Sequence, residues 1–226
     1  MKLLLSCEHA FNTIPQPFES YFTAASEILD SHRGYDPGAY DLFRYLEPLS
    51  DFSIHQEIGR LLIETNRSLH HASLFSEFSR KMSSEEKEQL ISTYYESYRN
   101  RVEEFIEDHI AKSEILHLSV HSFTPVWKGQ ERNAEIGILY DPSRLLEKEY
   151  ANLLRQQLKA LLPQLRIRRN YPYLGKSDGL TTYLRKIFPE KYLGIELEVN
   201  QKLVRNNTFE TDLKMGIYRA VEKLLK

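Results

Sequence analysis

LHLSVHSFTP, residues Leu116 to Pro125, decides how this chain is read. Leu116, Leu118 and Val120 recur at the two-residue period of a strand. The alternation then gives way to His121, Ser122, Phe123, Thr124 and Pro125. A strand that ends on a histidine has two readings. The imidazole is hydrogen-bonded at a strand terminus, or it is a metal ligand presented at the mouth of a sheet.

Working outward, strands and helices alternate. Lys2 to Cys7 reads as a strand that runs into the polar loop EHAFNTIP. Asp36 to Leu49 has helical spacing, with Pro37 near its start. Ile54 to Thr65, containing IGRLLIET, reads as a second apolar strand. Ser83 to Ile110 is a helix. It opens with a Ser-x-x-Glu capping pattern and carries Leu90, Tyr94, Tyr98, Val102 and Phe105 along one side. Ala134 to Tyr140, Arg166 to Asn170 and Tyr192 to Asn200 read as strands. Pro142 to Leu162, Gly179 to Ile187 and Phe209 to Lys226 read as helices. This order implies an α/β chain, a mostly parallel sheet sandwiched between helices. With no linker or repeat, residues 1–226 are expected to form one domain.

The composition, 41% hydrophobic and 27% charged over 226 residues, is ordinary for a globular chain. A formal net charge of -2 offers no field for nucleic acid or an anionic membrane. Cys7 is the one cysteine, which excludes an internal disulfide and suits a reducing compartment. The apolar run Leu3 to Leu5 is too short for a secretion signal, and no run has the length of a membrane span. A soluble cytoplasmic protein is expected.

Binding sites in open α/β sheets lie beyond the carboxyl ends of strands. Polar clusters fall there: Glu8-His9, Asn66-Arg67, His121-Ser122, and Glu196 with Glu198. His9 and His121 plus one carboxylate would make a three-ligand zinc site with an open position. Asp36, Glu8 and His32 all remain open as the third ligand, and Asp36 reads equally as a helix N-cap. Arg60, Arg67 and Arg132 each read as surface ion-pair partners or as binders of substrate carboxylate or oxyanion. Glu196 and Glu198 share one strand face, where burial could tune either as a general base. The turn-rich stretch NYPYLGKSDGLTTYLR, which carries Tyr173, reads as a pocket lid or an ordinary loop. A serine hydrolase using Ser122 lacks the Gly-x-Ser-x-Gly elbow.

Seven stretches occur in the order expected of the N-formylglutamate amidohydrolase family: LLLSCEHAFNTIP, SHRGYDPGA, ETNRS, LHLSVHSFTPV, IGILYDP, NYPYLGKSDGLT and IELEVNQKLV. The chain resembles that family over nearly its whole length. The resemblance implies a single-domain α/β/α sandwich similar to the zinc carboxypeptidases, with a mixed, mostly parallel sheet. It implies one Zn2+ per chain and hydrolysis of the amide bond of a small N-acyl amino acid such as N-formylglutamate. By position, His9, Asp36 and His121 resemble the metal ligands and Glu198 the general base. Arg60 resembles an oxyanion-stabilising arginine, and Asn66 and Arg67 the pair that grips substrate carboxylate, with Arg132 and Tyr173 also on the substrate side. The family usually has Asp where Glu64 stands and Gly where Phe11 stands. It has Arg and Asp where Asn200 and Lys202 stand. A member that kept the fold and lost catalysis would be a small-molecule or metal-binding protein instead.

Overall fold

The computed structural model describes all residues from Met1 to Lys226. In chain order its elements are β1 (Lys2–Cys7), α1 (Ser26–Leu29), α2 (Ala39–Leu46), β2 (Phe52–His55), α3 (Ser84–Leu90), α4 (Ser97–Ile110) and β3 (Ile115–Phe123). Then come β4 (Val126–Trp127), β5 (Gln130–Glu131), β6 (Ile136–Leu139), α5 (Leu145–Leu161) and β7 (Ile167–Arg169). The chain closes with α6 (Leu180–Ile187), β8 (Tyr192–Asn200), β9 (Val204–Arg205), β10 (Thr208–Phe209) and α7 (Thr211–Leu224).

Six strands form one sheet in the order β2-β1-β3-β8-β6-β7. The first four run parallel, and β6 and β7 run parallel to each other but opposite to β8. Period-two alternation gives the sheet two unlike faces. Leu3, Leu5 and Cys7 of β1, Leu116, Leu118 and Val120 of β3, and Leu193, Ile195, Leu197 and Val199 of β8 pack against α2, α5 and α7. The other face is apolar only where the parallel strands begin: Leu4, Ile115 and Tyr192 pack with Leu180 and Leu184 of α6 and Val102 and Ile106 of α4. Further along that face stand Ser6, Ser119, His121, Glu196 and Glu198, with Ser119 beside Glu196 and His121 beside Glu198 in register. The polar half of one face is the floor of the candidate site.

Three expectations change. The strand expected from Ile54 to Thr65 stops at His55. Ile58, Leu61, Leu62 and Ile63 are buried in an irregular segment against Phe18, Phe22, Leu74 and Met82. Their apolar run reports burial, and a short apolar run does not specify a strand. The helix expected from Asp36 begins at Ala39, capped by Gly38 in the left-handed region at φ 80°, so Asp36 is not its cap. Third, the strand holding His121 continues to Phe123. His121 therefore sits inside the strand, fixed by pairing on β8.

The capping box of the long helix is present: Ser83 accepts from the Glu86 N–H, and Glu86 accepts from that of Ser83. Between α3 and α4, however, Ile91–Glu96 is a π-helical segment. Its buried residues run Leu90, Tyr95, Tyr98, Arg99, Val102 and Ile106. The wider turn replaces Tyr94 by Tyr95 on the inner side, and Ile106 takes the place expected for Phe105.

Sheet pairing is incomplete at the start of β8. β6 reaches only from Val199 to Glu196, leaving Tyr192 to Ile195 without a strand neighbour on that side. Side chains fill in. Arg144 donates to the Tyr192 carbonyl at 2.8 Å, Arg185 to the Gly194 carbonyl at 2.8 Å, and Glu147 accepts from the Gly194 N–H at 3.2 Å. Glu147 itself is fully buried and paired with Arg185 at 2.9 Å and Arg144 at 3.0 Å. No helix is long and apolar enough to cross a membrane.

Candidate active site

His9 lies in the turn just after β1, and His121 projects from the polar face of β3. Their ring centroids are 5.0 Å apart. Both turn Nδ1 to one atom, Asp36 Oδ2, at 3.3 Å from His9 and 2.9 Å from His121. Asp36 is brought there by its backbone: its N–H donates to the His9 carbonyl at 2.9 Å. Each imidazole has a second carboxylate behind it. His9 Nε2 is 2.6 Å from Glu64 Oε1, and His121 Nε2 is 3.1 Å from Glu8 Oε2 and 2.8 Å from Ser119 Oγ. Glu8 also accepts from Tyr98 and Ser119, facing away from the cleft.

Of the three candidates for a third ligand, Asp36 is the one gathered with both histidines. Ligand atoms of His9, Asp36 and His121 all lie within 4.8 Å of one another. His32 lines the cleft but is exposed, and Glu8 lies behind His121. The fit to a metal ion rests on the donor chemistry. Metal-ligating histidines characteristically have their other ring nitrogen on a carboxylate, which sets tautomer and basicity. Here both do. Asp36, Glu8 and Glu64 are all held far below the usual carboxylate range. Burial opposes this in each, and it is overcome by His9 and His121 at Asp36, by His121 at Glu8, and by Arg60 and then His9 at Glu64. Each buried anion thus has a cationic partner within the site.

Glu198 differs. Its Oε2 is buried with no hydrogen-bond partner. Burial is the main cause that pushes its carboxyl up to about 8. Glu196, one pleat earlier, is engaged by the Thr181 hydroxyl at 2.7 Å. A cleft of about 340 Å³ brings His9, Asp36, Arg60, Asn66, Arg67, His121, Tyr173, Glu196 and Glu198 onto one wall or another. Arg60 is tied by Nε to Glu64 at 2.8 Å and by Nη1 to Asp36 at 3.4 Å. Arg67 pairs with no carboxylate and donates only to the carbonyls of Asn66 and Asp178. Asn66 Oδ1 accepts from the Leu180 N–H at 2.7 Å. Arg132 does not line the cleft. It stands behind Tyr173, donating to its hydroxyl at 3.2 Å, with Trp127 at 5.3 Å across its guanidinium.

Glu64 was not singled out as a site residue by sequence reasoning. It hides at the end of an apolar run that reads as a strand, and its partner His9 is remote in the chain. The usable signal was a carboxylate directly before Thr65, Asn66 and Arg67 in a segment otherwise buried. The departures Phe11, Asn200 and Lys202 fall outside the cleft. Phe11 packs on Tyr40 and His55, Asn200 donates to the Ala134 carbonyl, and Lys202 pairs with Glu135.

Fold and site together define an α/β protein with an acid-base cleft beyond the carboxyl ends of its parallel strands, where such sheets place their ligands. The chain belongs to the N-formylglutamate amidohydrolase family, which matches it over residues 1–205. It is similar to the gene product Atu2144 of Agrobacterium tumefaciens, at 27% identity and TM-score 0.80, over 99% of this chain and 88% of that one. An N-formylglutamate amidohydrolase of Ralstonia eutropha JMP134 shares the fold at 15% identity and TM-score 0.72, over 99% of this chain and 91% of its own. No curated protein matches the chain.

Proposed function

We propose that the chain is a zinc-dependent amidohydrolase that cleaves the amide bond of a small N-acyl amino acid, N-formylglutamate being the substrate its family suggests. One observation carries this: two buried histidines share Asp36 Oδ2 while Glu198 presents a free carboxyl oxygen to the same cleft. His9, Asp36 and His121 would hold the metal. A zinc ion held there would supply Lewis acidity toward water and the amide carbonyl.

The remaining work falls to side chains. Arg67, free of any carboxylate, offers its planar fork to the substrate carboxylate, and Asn66 fixes the adjoining loop. Glu198 takes a proton from the attacking water at Oε2 and delivers it to the leaving nitrogen. Burial holds this carboxyl well above the usual carboxylate range, toward the neutral pH at which one group can both take and give a proton. Arg60 places positive charge at the cleft wall, toward the oxygen where negative charge develops. Residues 1–226 act as one domain in this reading, and the single buried, free Cys7 suits the cytoplasm.

Metal analysis of the purified protein, with turnover of N-formyl and N-acetyl amino acids, tests the reading. We expect about one zinc per chain, the stoichiometry of a mononuclear site. His9→Ala and His121→Ala should each lose the metal and turnover together. Full metal in both variants would sink the assignment. Stoichiometric metal without turnover on any N-acyl amino acid would favour a binding protein.

A further inference from the structure

The segment that carries Asn66 and Arg67 has no regular structure, yet its backbone is gripped from behind. Arg99 of α4 is buried, at 3% exposure. Its Nε and Nη2 donate to the Thr65 carbonyl at 3.2 and 3.1 Å, and Nη2 donates also to the Arg67 carbonyl at 2.9 Å. Tyr95, in the π-helical segment, donates its hydroxyl to the same Arg67 carbonyl at 2.8 Å. Arg99 lies between two rings, 4.4 Å from the centroid of Tyr95 and 4.7 Å from that of Tyr183 on α6. It makes no ion pair with a carboxylate. Its hydrogen bonds go to carbonyl oxygens, and its guanidinium lies over π-faces.

Fold stability alone does not call for this. A buried guanidinium is costly to desolvate, and an apolar side chain of similar volume fills such a space at less cost. What a planar fork does, and an apolar chain cannot, is fix two carbonyls in one plane. The two chosen flank Asn66. On the far side of the loop, Asn66 accepts from Leu180, and the Ser68 N–H donates to Asp178 at 3.0 Å. Residues 65 to 68 are thus pinned from both sides, and the arginine at the cleft inherits that order. Arg99 itself lines a separate cavity, with Tyr95, Tyr183 and Glu103, and does not reach the cleft.

We propose that Arg99, stacked between Tyr95 and Tyr183, is the positioning residue of the substrate-carboxylate anchor, holding the Thr65 and Arg67 carbonyls so that Arg67 is aimed at the cleft. The proposal rests on the reading of Arg67 as that anchor. Small misplacements of a binding group are costly, because the geometry is fixed before substrate arrives.

The test uses Arg99→Lys and Tyr95→Phe, each with an N-formyl amino acid bearing a free carboxylate and with its carboxamide. Lysine keeps the charge and loses the fork, and phenylalanine keeps the ring and loses one hydrogen bond. Arg99→Lys should raise KM for the carboxylate substrate roughly tenfold, the scale of one hydrogen bond to a charged group. Tyr95→Phe should raise it a few-fold and serves alone should Arg99→Lys not fold. The kcat, the metal content and the carboxamide rate should stay within about twofold, and amide hydrogen exchange at residues 65–68 should quicken in both variants. Unchanged exchange in that segment overturns the proposal, and so does an equal loss on both substrates. If Arg67→Lys treats the two substrates alike, the anchor reading of Arg67 fails instead. Exchange then still decides whether Arg99 holds the loop.

Discussion

Glu198 is the residue whose environment is least like its surroundings. Every other buried carboxylate near the histidines is engaged, while Glu198 Oε2 has no partner. Glu198→Gln preserves shape and removes the proton site. Turnover should fall by about two to four orders of magnitude with metal retained, the range for a positioned acid-base group. Glu196→Gln, whose carboxylate serves Thr181, should cost far less. The reverse pattern would exchange their roles. His117, two residues before Ser119 on β3, gives a second outcome. It is buried between the Ser6 hydroxyl and the Tyr192 hydroxyl, each at 2.7 Å, and burial pushes it down to about 4. The unfolded chain takes up this proton near pH 6.5 and the folded chain does not. The stability from keeping His117 neutral is therefore complete above pH 6.5 and is lost as pH falls toward 4, on the order of 3 kcal/mol in all. Denaturant midpoints measured across that window should slope less in His117→Gln. Identical slopes would remove His117 from the acid response. At this scale His9 and His121 were legible, because each stands out at the end of an apolar run, while His117 inside such a run was not. The link of Asp36 to both came only through the family resemblance, because it is made by folding and not by spacing.

At the scale of elements, periodicity found the helices and misplaced one face. Leu90 and Tyr95 are five apart, the spacing of a π turn, and the apolar pattern of Ser83 to Ile110 fits a continuous α-helix nearly as well. Local sequence holds no strong signal for the extra residue. Its effect is to bring Tyr95 inward in line with Arg99, four residues on. Deleting the exposed Thr93 should let the segment close into α-helix with Leu90 and Tyr95 four apart and still on one face. Helix content by circular dichroism and stability should both hold, the latter within about 1 kcal/mol. A loss of roughly 3–5 kcal/mol, the cost of a large aromatic leaving its site, would show that the π turn is needed to seat Tyr95. β2 was overextended for a related reason: IGRLLI is as apolar as a buried strand, and nothing local distinguishes it from a buried irregular segment.

For the molecule as a whole, alternating strands and helices made the α/β architecture legible, and β8 was located end to end. The reversal of β6 and β7 was not, since strand direction is absent from a period-two pattern. β6, four residues long, leaves the start of β8 bare, and Arg144, Glu147 and Arg185 occupy the gap. Glu147→Ala strands two arginines against buried carbonyls. The loss should be roughly 3–5 kcal/mol, about 10 °C or more in a chain of this length. Thermal melts of the variant check this, and a shift under about 2 °C would show that the cluster contributes little.

The same gap sets a hazard for the folded protein. Tyr192 to Ile195 is a row of backbone groups next to an apolar β3, and unpaired strand edges recruit strands from other molecules. In the native chain that docking position is occupied by charge: a carboxylate and two guanidiniums that no incoming strand could displace without burying them unpaired. The cluster thus closes the sheet edge from within, and a chain stripped of Glu147 would leave the Gly194 N–H without its acceptor and Arg185 without its carboxylate.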